Sequence, residues 1–269
     1  MEKIKHALER AKLTKHSASL QNRKKVTSSN VPVDLSNIRY TKTKQLDVSK
    51  KELKKNRIIC NDQNDLVSNQ YKLLRTHVLQ AMKLNKWNSI AVTSPREGNG
   101  KTLTSINLAI NLAKEVNHSV LLVDMDLKRP TIAKYFSSNN TAGLNEYLTS
   151  EVCLEDILFT PNIERLVVLP GSKVIENSSE MLSSPKMVML VNELKSRYPN
   201  RIVIYDMPPI LSCDDMLVFS NYVDAVMLVV EDEVTQKEEL KNSYQLLKNS
   251  NIIGTVLNKS NQISLQNIY

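Results

Sequence analysis

Disulfides are the first thing this sequence cannot build on. Its three cysteines, Cys60, Cys153 and Cys213, are isolated and form no C-x-x-C pair. The N-terminal stretch MEKIKHALERAKLTK is charged throughout, so it lacks the apolar core of a secretory signal. Together these absences predict reduced thiols in the cytosol. Long apolar runs are missing as well: AVMLVV, near the end, falls far short of the roughly 20 residues a membrane span needs. The four histidines (His6, His16, His77 and His118) show no ligand spacing, which argues against an imidazole-built metal site. Aromatic residues are scarce at 5%, within a hydrophobic content of 41% that suits a globular protein. A chain of 269 residues can hold one large α/β domain plus a tail, or two small domains.

What is present is unevenly distributed. The formal charge is +8, but residues 1–60 hold 16 Lys+Arg against 5 Asp+Glu, a balance of +11 that leaves −3 for the rest. A basic groove on the globular part is therefore not implied, and no specific nucleic acid is expected as a partner. Residues 1–57 are expected to form a basic N-terminal extension, and residues 58–269 the folded domain. Within the extension, Ile4, Leu8 and Ala11 recur at helical spacing over residues 2–15. That pattern reads either as a solvated helical stub or as a docking element for a membrane surface or partner helix. The polar stretch that follows, to residue 57, reads as linker.

Beyond Cys60, short β-branched apolar runs alternate with helical segments. Strands are expected at SIAVTS, SVLLVDMD, LVVLPG, RIVIYDMPP, DAVMLVVED and IIGTVLNKS, and helices over 65–84, 102–115, 131–158, 185–197 and 235–249. The pattern predicts an α/β fold: a mostly parallel, doubly wound sheet covered on both faces.

The stretch VTSPREGNGKT (residues 92–102) follows the first buried strand and opens a helix. Gly100, Lys101 and Thr102 complete the phosphate-loop pattern G-x-x-x-x-G-K-[ST], although Pro95 stands where its first glycine belongs. In such a loop, backbone N–H groups and the helix N-terminus face an anion. Lys101 would reach the β- and γ-phosphates, and the Thr102 hydroxyl would ligate Mg²⁺. Proline fixes φ and has no N–H, so the cradle falls to Gly98, Asn99, Gly100, Lys101 and Thr102. Two further strands end in carboxylates, Asp124 and Asp126 in LLVDMD and Asp206 in IVIYD. One such aspartate reads equally well as a helix N-cap. Three of them, beyond the carboxyl ends of parallel strands and facing a phosphate loop, read as a site for ATP and Mg²⁺.

With LLVDMDLKRP and IVIYDMPP spaced after GNGKT, the chain resembles the bacterial tyrosine kinases of capsule and exopolysaccharide synthesis, in the MinD/ParA-like branch of P-loop ATPases. The resemblance spans about residues 65–260 and includes YKLLRTHV, NSSEMLSSPKM, DDMLVFSNYVDAVMLVV and GTVLNK. In wording it is most similar to the stand-alone subgroup that accompanies exosortase-linked exopolysaccharide gene sets. The resemblance implies that Asp124 acts as catalytic base or orders the metal's water, with Asp126 its partner near the metal. It makes Asp206 the Walker B aspartate and Asn258 an adenine-reading amide. It further implies transfer of the γ-phosphoryl group to a tyrosine within a homo-oligomer. The implied setting is the inner face of the plasma membrane, beside a membrane chain-length-determinant (polysaccharide co-polymerase) partner. The chain departs from the family in three places. Tyr269 stands alone where the family has a tyrosine cluster, and Lys128, followed by Arg129, occupies a position that often holds arginine. The oligomerising pattern E-x-x-R-x-x-R appears as Asn69, Lys72 and Arg75.

Arg96 has two readings, a solvated loop residue or a phosphate ligand acting across a dimer. Three functions stay open from sequence: a tyrosine autokinase, a non-kinase ATPase switch of the same machinery, and a partition or cell-division ATPase.

Overall fold

The computed structural model describes residues 43–59, 66–138, 142–198 and 200–261. The expected helix over 2–15, most of the expected linker, and Tyr269 lie outside them. In the described residues, β1 (Lys44–Gln45) and α1 (Lys50–Lys55) precede α2 (Leu66–Asn85), β2 (Ser89–Thr93), α3 (Lys101–Ala113) and β3 (Ser119–Asp124). Three short helices follow, α4 (Ile132–Tyr135), α5 (Leu144–Thr149) and α6 (Leu154–Ile157), then β4 (Phe159–Thr160) and β5 (Leu166–Leu169). The chain continues through α7 (Ser178–Leu182), α8 (Pro185–Ser196), β6 (Arg201–Asp206), α9 (Asp215–Phe219), β7 (Ala225–Glu231), α10 (Lys237–Leu246) and β8 (Ile252–Asn258).

The eight strands form one sheet in the order β1-β4-β5-β3-β6-β2-β7-β8. All neighbours run parallel except β4 and β5. Alternate residues of each central strand feed two cores, one on each face of the sheet. Ile90, Val92, Val120, Leu122, Ile202 and Ile204 pack into one, while Ala91, Leu121, Val123, Val203 and Tyr205 pack into the other. This explains why the strands read as unbroken apolar runs instead of alternating ones. The strand that feeds the phosphate loop, β2, lies between β6 and β7. The loops after β2, β3 and β6 therefore open at one end of the sheet, where α/β folds bind ligands.

Three details differ from the sequence reading. Residues 44–57 belong to the fold although they were expected to be linker. Lys44 and Gln45 pair with β4, Leu53 and Ile58 are buried in a core, and the Ile59 N–H donates to Asn107 Oδ1 at 2.8 Å. Their few apolar residues were diluted by lysines on the exposed face of α1, which is closed by a Ser49–Glu52 capping box. Second, the helices expected through 131–158 are short, four to six residues each. Third, the two-residue strand β4, too short to carry a periodicity, pairs antiparallel with β5. In α2, Lys72 Nζ donates to Asn69 Oδ1 at 3.1 Å and Arg75 pairs with Glu115 at 3.2 Å, so both basic side chains have partners within the chain.

Candidate active site

The site is built from the carboxyl ends of β2, β3 and β6. Gly98 (φ 83°) and Gly100 (φ 91°) take the left-handed conformation, which lets the loop curl into α3. Gly100 is the N-cap of α3 and supplies no side-chain cap, so the first helical turn faces the cleft with its own N–H groups. Pro95 is buried at the start of the loop, and its carbonyl accepts the Leu211 N–H at 3.3 Å.

Lys101, Thr102, Asp124, Asp126 and Asp206 converge as expected. Lys101 Nζ lies 2.8 Å from Asp126 Oδ2 and 3.9 Å from Asp206 Oδ2. The Thr102 hydroxyl donates to Asp206 Oδ2 at 2.6 Å, and Ser105 Oγ donates to Asp206 Oδ1 at 3.0 Å. Asp124 Oδ2 accepts the N–H groups of Thr131 and Ile132, both at 2.9 Å, whereas its buried Oδ1 has no hydrogen-bond partner. Asp126 Oδ1 accepts the Arg129 N–H at 2.9 Å. A cleft of about 440 Å³ is lined by Gly98, Gly100, Lys101, Thr102, Asp126 and Lys128 among others, while Asp124 and Asp206 are buried. Glu97 and Arg129 form an ion pair at its rim.

The electrostatics follow from burial and crowding. Burial pushes the Asp124 carboxyl up to about 7, with the nearby Asp206 charge adding to the effect, despite the Ile132 N–H and Lys101. Asp206, fully buried, is raised chiefly by burial. Burial opposes the charge on Lys101, but Asp206, Asp126 and Asp124 overcome it, and the ammonium is held above its usual range. Three carboxyl groups crowd one ammonium around Lys101, an arrangement that suits a bound cation.

Two predicted residues are placed on the far side of the loop. Asn99 is buried, and its side chain turns to Arg96 and Glu231. Asn258 donates from Nδ2 to the Asn99 carbonyl at 2.8 Å. Arg96 is ion-paired with Glu239 on α10. Sequence reasoning missed Ser105 and Glu231. Ser105 was findable, because it stands three residues after Thr102 and so on the same helical face. Glu231 ends a buried strand as Asp124 and Asp206 do, which was the signal for it.

A glycine-bearing loop that caps a helix in mid-sheet, with carboxylates at the adjacent strand ends, defines a P-loop nucleoside triphosphatase fold. Comparison with known proteins narrows the class. The AAA domain family matches residues 87–263. The chain is 32% identical over 208 residues to the tyrosine-protein kinase YwqD of Bacillus subtilis (strain 168), covering 77% of this chain and 86% of that protein. Two solved structures agree at 27% identity. The chimerical protein CapA2B2 superposes with a TM-score of 0.71 over 81% of this chain and 94% of its own. The kinase domain of the Escherichia coli tyrosine kinase ETK does so at 0.69, over 84% and 92%. The chain belongs to the bacterial tyrosine-protein kinase family of P-loop proteins.

Proposed function

We propose that this chain binds ATP with Mg²⁺ in the cleft above Lys101 and transfers the γ-phosphoryl group to a tyrosine hydroxyl of another copy. The observation that carries this reading is that Lys101, Thr102 and Asp126 line one cleft, with buried Asp206 bonded to Thr102 and Asp124 beside it in register, in a chain of this family. Lys101 is placed to hold the β- and γ-phosphates, and the N–H groups of the loop and of the first turn of α3 to cradle them. The residues fit Mg²⁺. A threonine hydroxyl lies against a buried carboxylate, three carboxyl groups crowd one ammonium, and one carboxylate oxygen of Asp124 is orphaned. Among the described residues no group of three His, Cys, Asp or Glu side chains stands ready to hold a metal. Mg²⁺ takes one or two carboxylates and completes its shell with water and phosphate.

Thr102, Asp126 and Asp206 would hold the ion, which when bound supplies charge neutralisation to the phosphates. Asp126, now paired with Lys101, would release that ammonium to the phosphates. Asp124 is fixed through Oδ2 by two backbone N–H groups, and the family resemblance supports it as the base for the tyrosine proton or as the group that orders the metal's water. The family resemblance supports Asn258 as an adenine-reading amide. The family resemblance also supports a setting in capsule or exopolysaccharide export, at the inner face of the plasma membrane beside a chain-length-determinant partner. Among the described residues no helix is long and apolar enough to cross a membrane.

Calorimetric titration with Mg-ATP tests the nucleotide site. Lys101→Ala is expected to weaken binding by about tenfold or more, the worth of a charged hydrogen bond. Equal affinity of the two proteins would overturn this assignment.

A further inference from the structure

Strands β7 and β8 end side by side, with Glu231 opposite Asn258. Both side chains reach the phosphate loop and grip the same residue. Asn258 Nδ2 donates to the Asn99 carbonyl at 2.8 Å, and Glu231 Oε2 accepts from Asn99 Nδ2 at 3.3 Å. Glu231 Oε1 pairs in turn with Lys259 Nζ at 2.9 Å, and this bond with Asn99's holds the carboxylate below its usual range. The other end of the Asn99 amide, Oδ1, accepts the Arg96 N–H at 3.0 Å, so a side chain only 3% exposed is engaged at both ends. A trans peptide is planar, so a carbonyl of Asn99 aimed at Asn258 turns the Gly100 N–H to the opposite side. Gly100 lines the cleft together with Lys101 and Thr102. The packing is tight there, since a Cβ on Gly100 would lie 2.0 Å from Asn258 Nδ2.

We propose that Asn258, Glu231 and Lys259 are positioning residues for the phosphate loop, holding the Asn99–Gly100 peptide so that its amide faces the phosphates before nucleotide arrives. The role rests on the ATP reading above and adds to it a contribution that is independent of the base. Donors fixed in advance lose little freedom on binding, and the affinity gained belongs to the phosphates whatever they are attached to. It also ties the loop to the last strand of the sheet, more than a hundred residues away in sequence.

Titration of the full chain with Mg-ATP and, separately, with inorganic tripolyphosphate distinguishes bracing from base recognition. Asn258→Ala and Glu231→Ala are each expected to weaken both ligands by a similar factor, roughly five- to tenfold for one lost hydrogen bond. Glu231→Gln, which keeps an acceptor for Asn99, is expected to restore most of that affinity. Lys259→Met, at a side chain 46% exposed, is expected to shift both ligands in the same direction by a smaller factor. Thermal melts confirm that each variant is folded. Unchanged tripolyphosphate binding in folded Asn258→Ala and Glu231→Ala proteins overturns the bracing role, and a loss confined to ATP assigns Asn258 to the base. A wild-type chain that binds neither ligand overturns the nucleotide reading itself, and the bracing role with it.

Discussion

At the scale of single residues the loop divides its labour. Pro95 contributes a fixed φ and a carbonyl to the Leu211 N–H, neither of which touches phosphate. Pro95→Gly is therefore expected to keep ATP affinity within about threefold and to lower stability by about 0.5–1 kcal/mol through the freer unfolded chain. Calorimetry and urea unfolding measure the two effects, and loss of ATP binding would contradict this division. Gly100 is the opposite case. Its φ of 91° strains any other residue, and the missing Cβ makes room for Asn258. Gly100→Ala is expected to cost about 1–3 kcal/mol of stability together with a loss of nucleotide affinity. A substitution neutral in both assays would contradict that geometry. The sequence motif marked Gly100, Lys101 and Thr102 directly, because phosphate cradles need those residue types at that spacing. Glu231 was legible as a carboxylate ending a buried strand, but its contact with the loop was not, because the strand order that sets β7 beside β2 is a tertiary fact.

At the scale of elements, the central strands were legible because burial on both faces demands continuous β-branched runs, and β2, β3, β6 and β7 have them. Residues 44–57 were not, since lysines dilute their few apolar residues and only Val48 and Leu53 among them are buried in the core, with Ile58 next to them. A chain beginning at residue 59 is expected to be less stable than one beginning at 43 by more than about 2 kcal/mol, the scale of losing one large buried side chain. Equal unfolding midpoints would return this segment to the linker. Asp224 staples three elements. It accepts from the Asn88 and Ser89 N–H groups at 2.9 and 3.0 Å, from Ser89 Oγ at 2.8 Å and from Lys195 Nζ of α8 at 2.7 Å. Burial raises its carboxyl, but Lys195 and the Asn88 and Ser89 hydrogen bonds outweigh that and hold it below the usual range. A depressed carboxylate stabilises the fold fully above its unfolded value of about 3.9 and loses that contribution as pH falls through the folded value. Asp224→Asn is thus expected to cost about 1–3 kcal/mol at pH 7. The difference from wild type should narrow below about pH 4, and a gap that widened in acid would contradict the assignment.

At the scale of the whole molecule, the sheet brings together groups from residues 101 to 206 and braces them from 231 to 259, so the site exists only in the complete domain. The crowding of carboxyl groups explains why the resting cleft holds Lys101 against Asp126, a pairing that ATP and its metal would exchange for phosphate. The receiving tyrosine must be accessible, which excludes Tyr205, fully buried between β3 and β2 with its ring packed on Phe219. The most direct test is to incubate the full chain, alone and with the proposed chain-length-determinant partner, with Mg-ATP and map phosphotyrosine by mass spectrometry, beside Lys101→Met. The account predicts phosphotyrosine that is absent from Lys101→Met and never at Tyr205, with Tyr269 the candidate the sequence offers in the tail. ATP turnover by the wild-type chain with no phosphotyrosine would contradict it and leave an ATPase switch in its place.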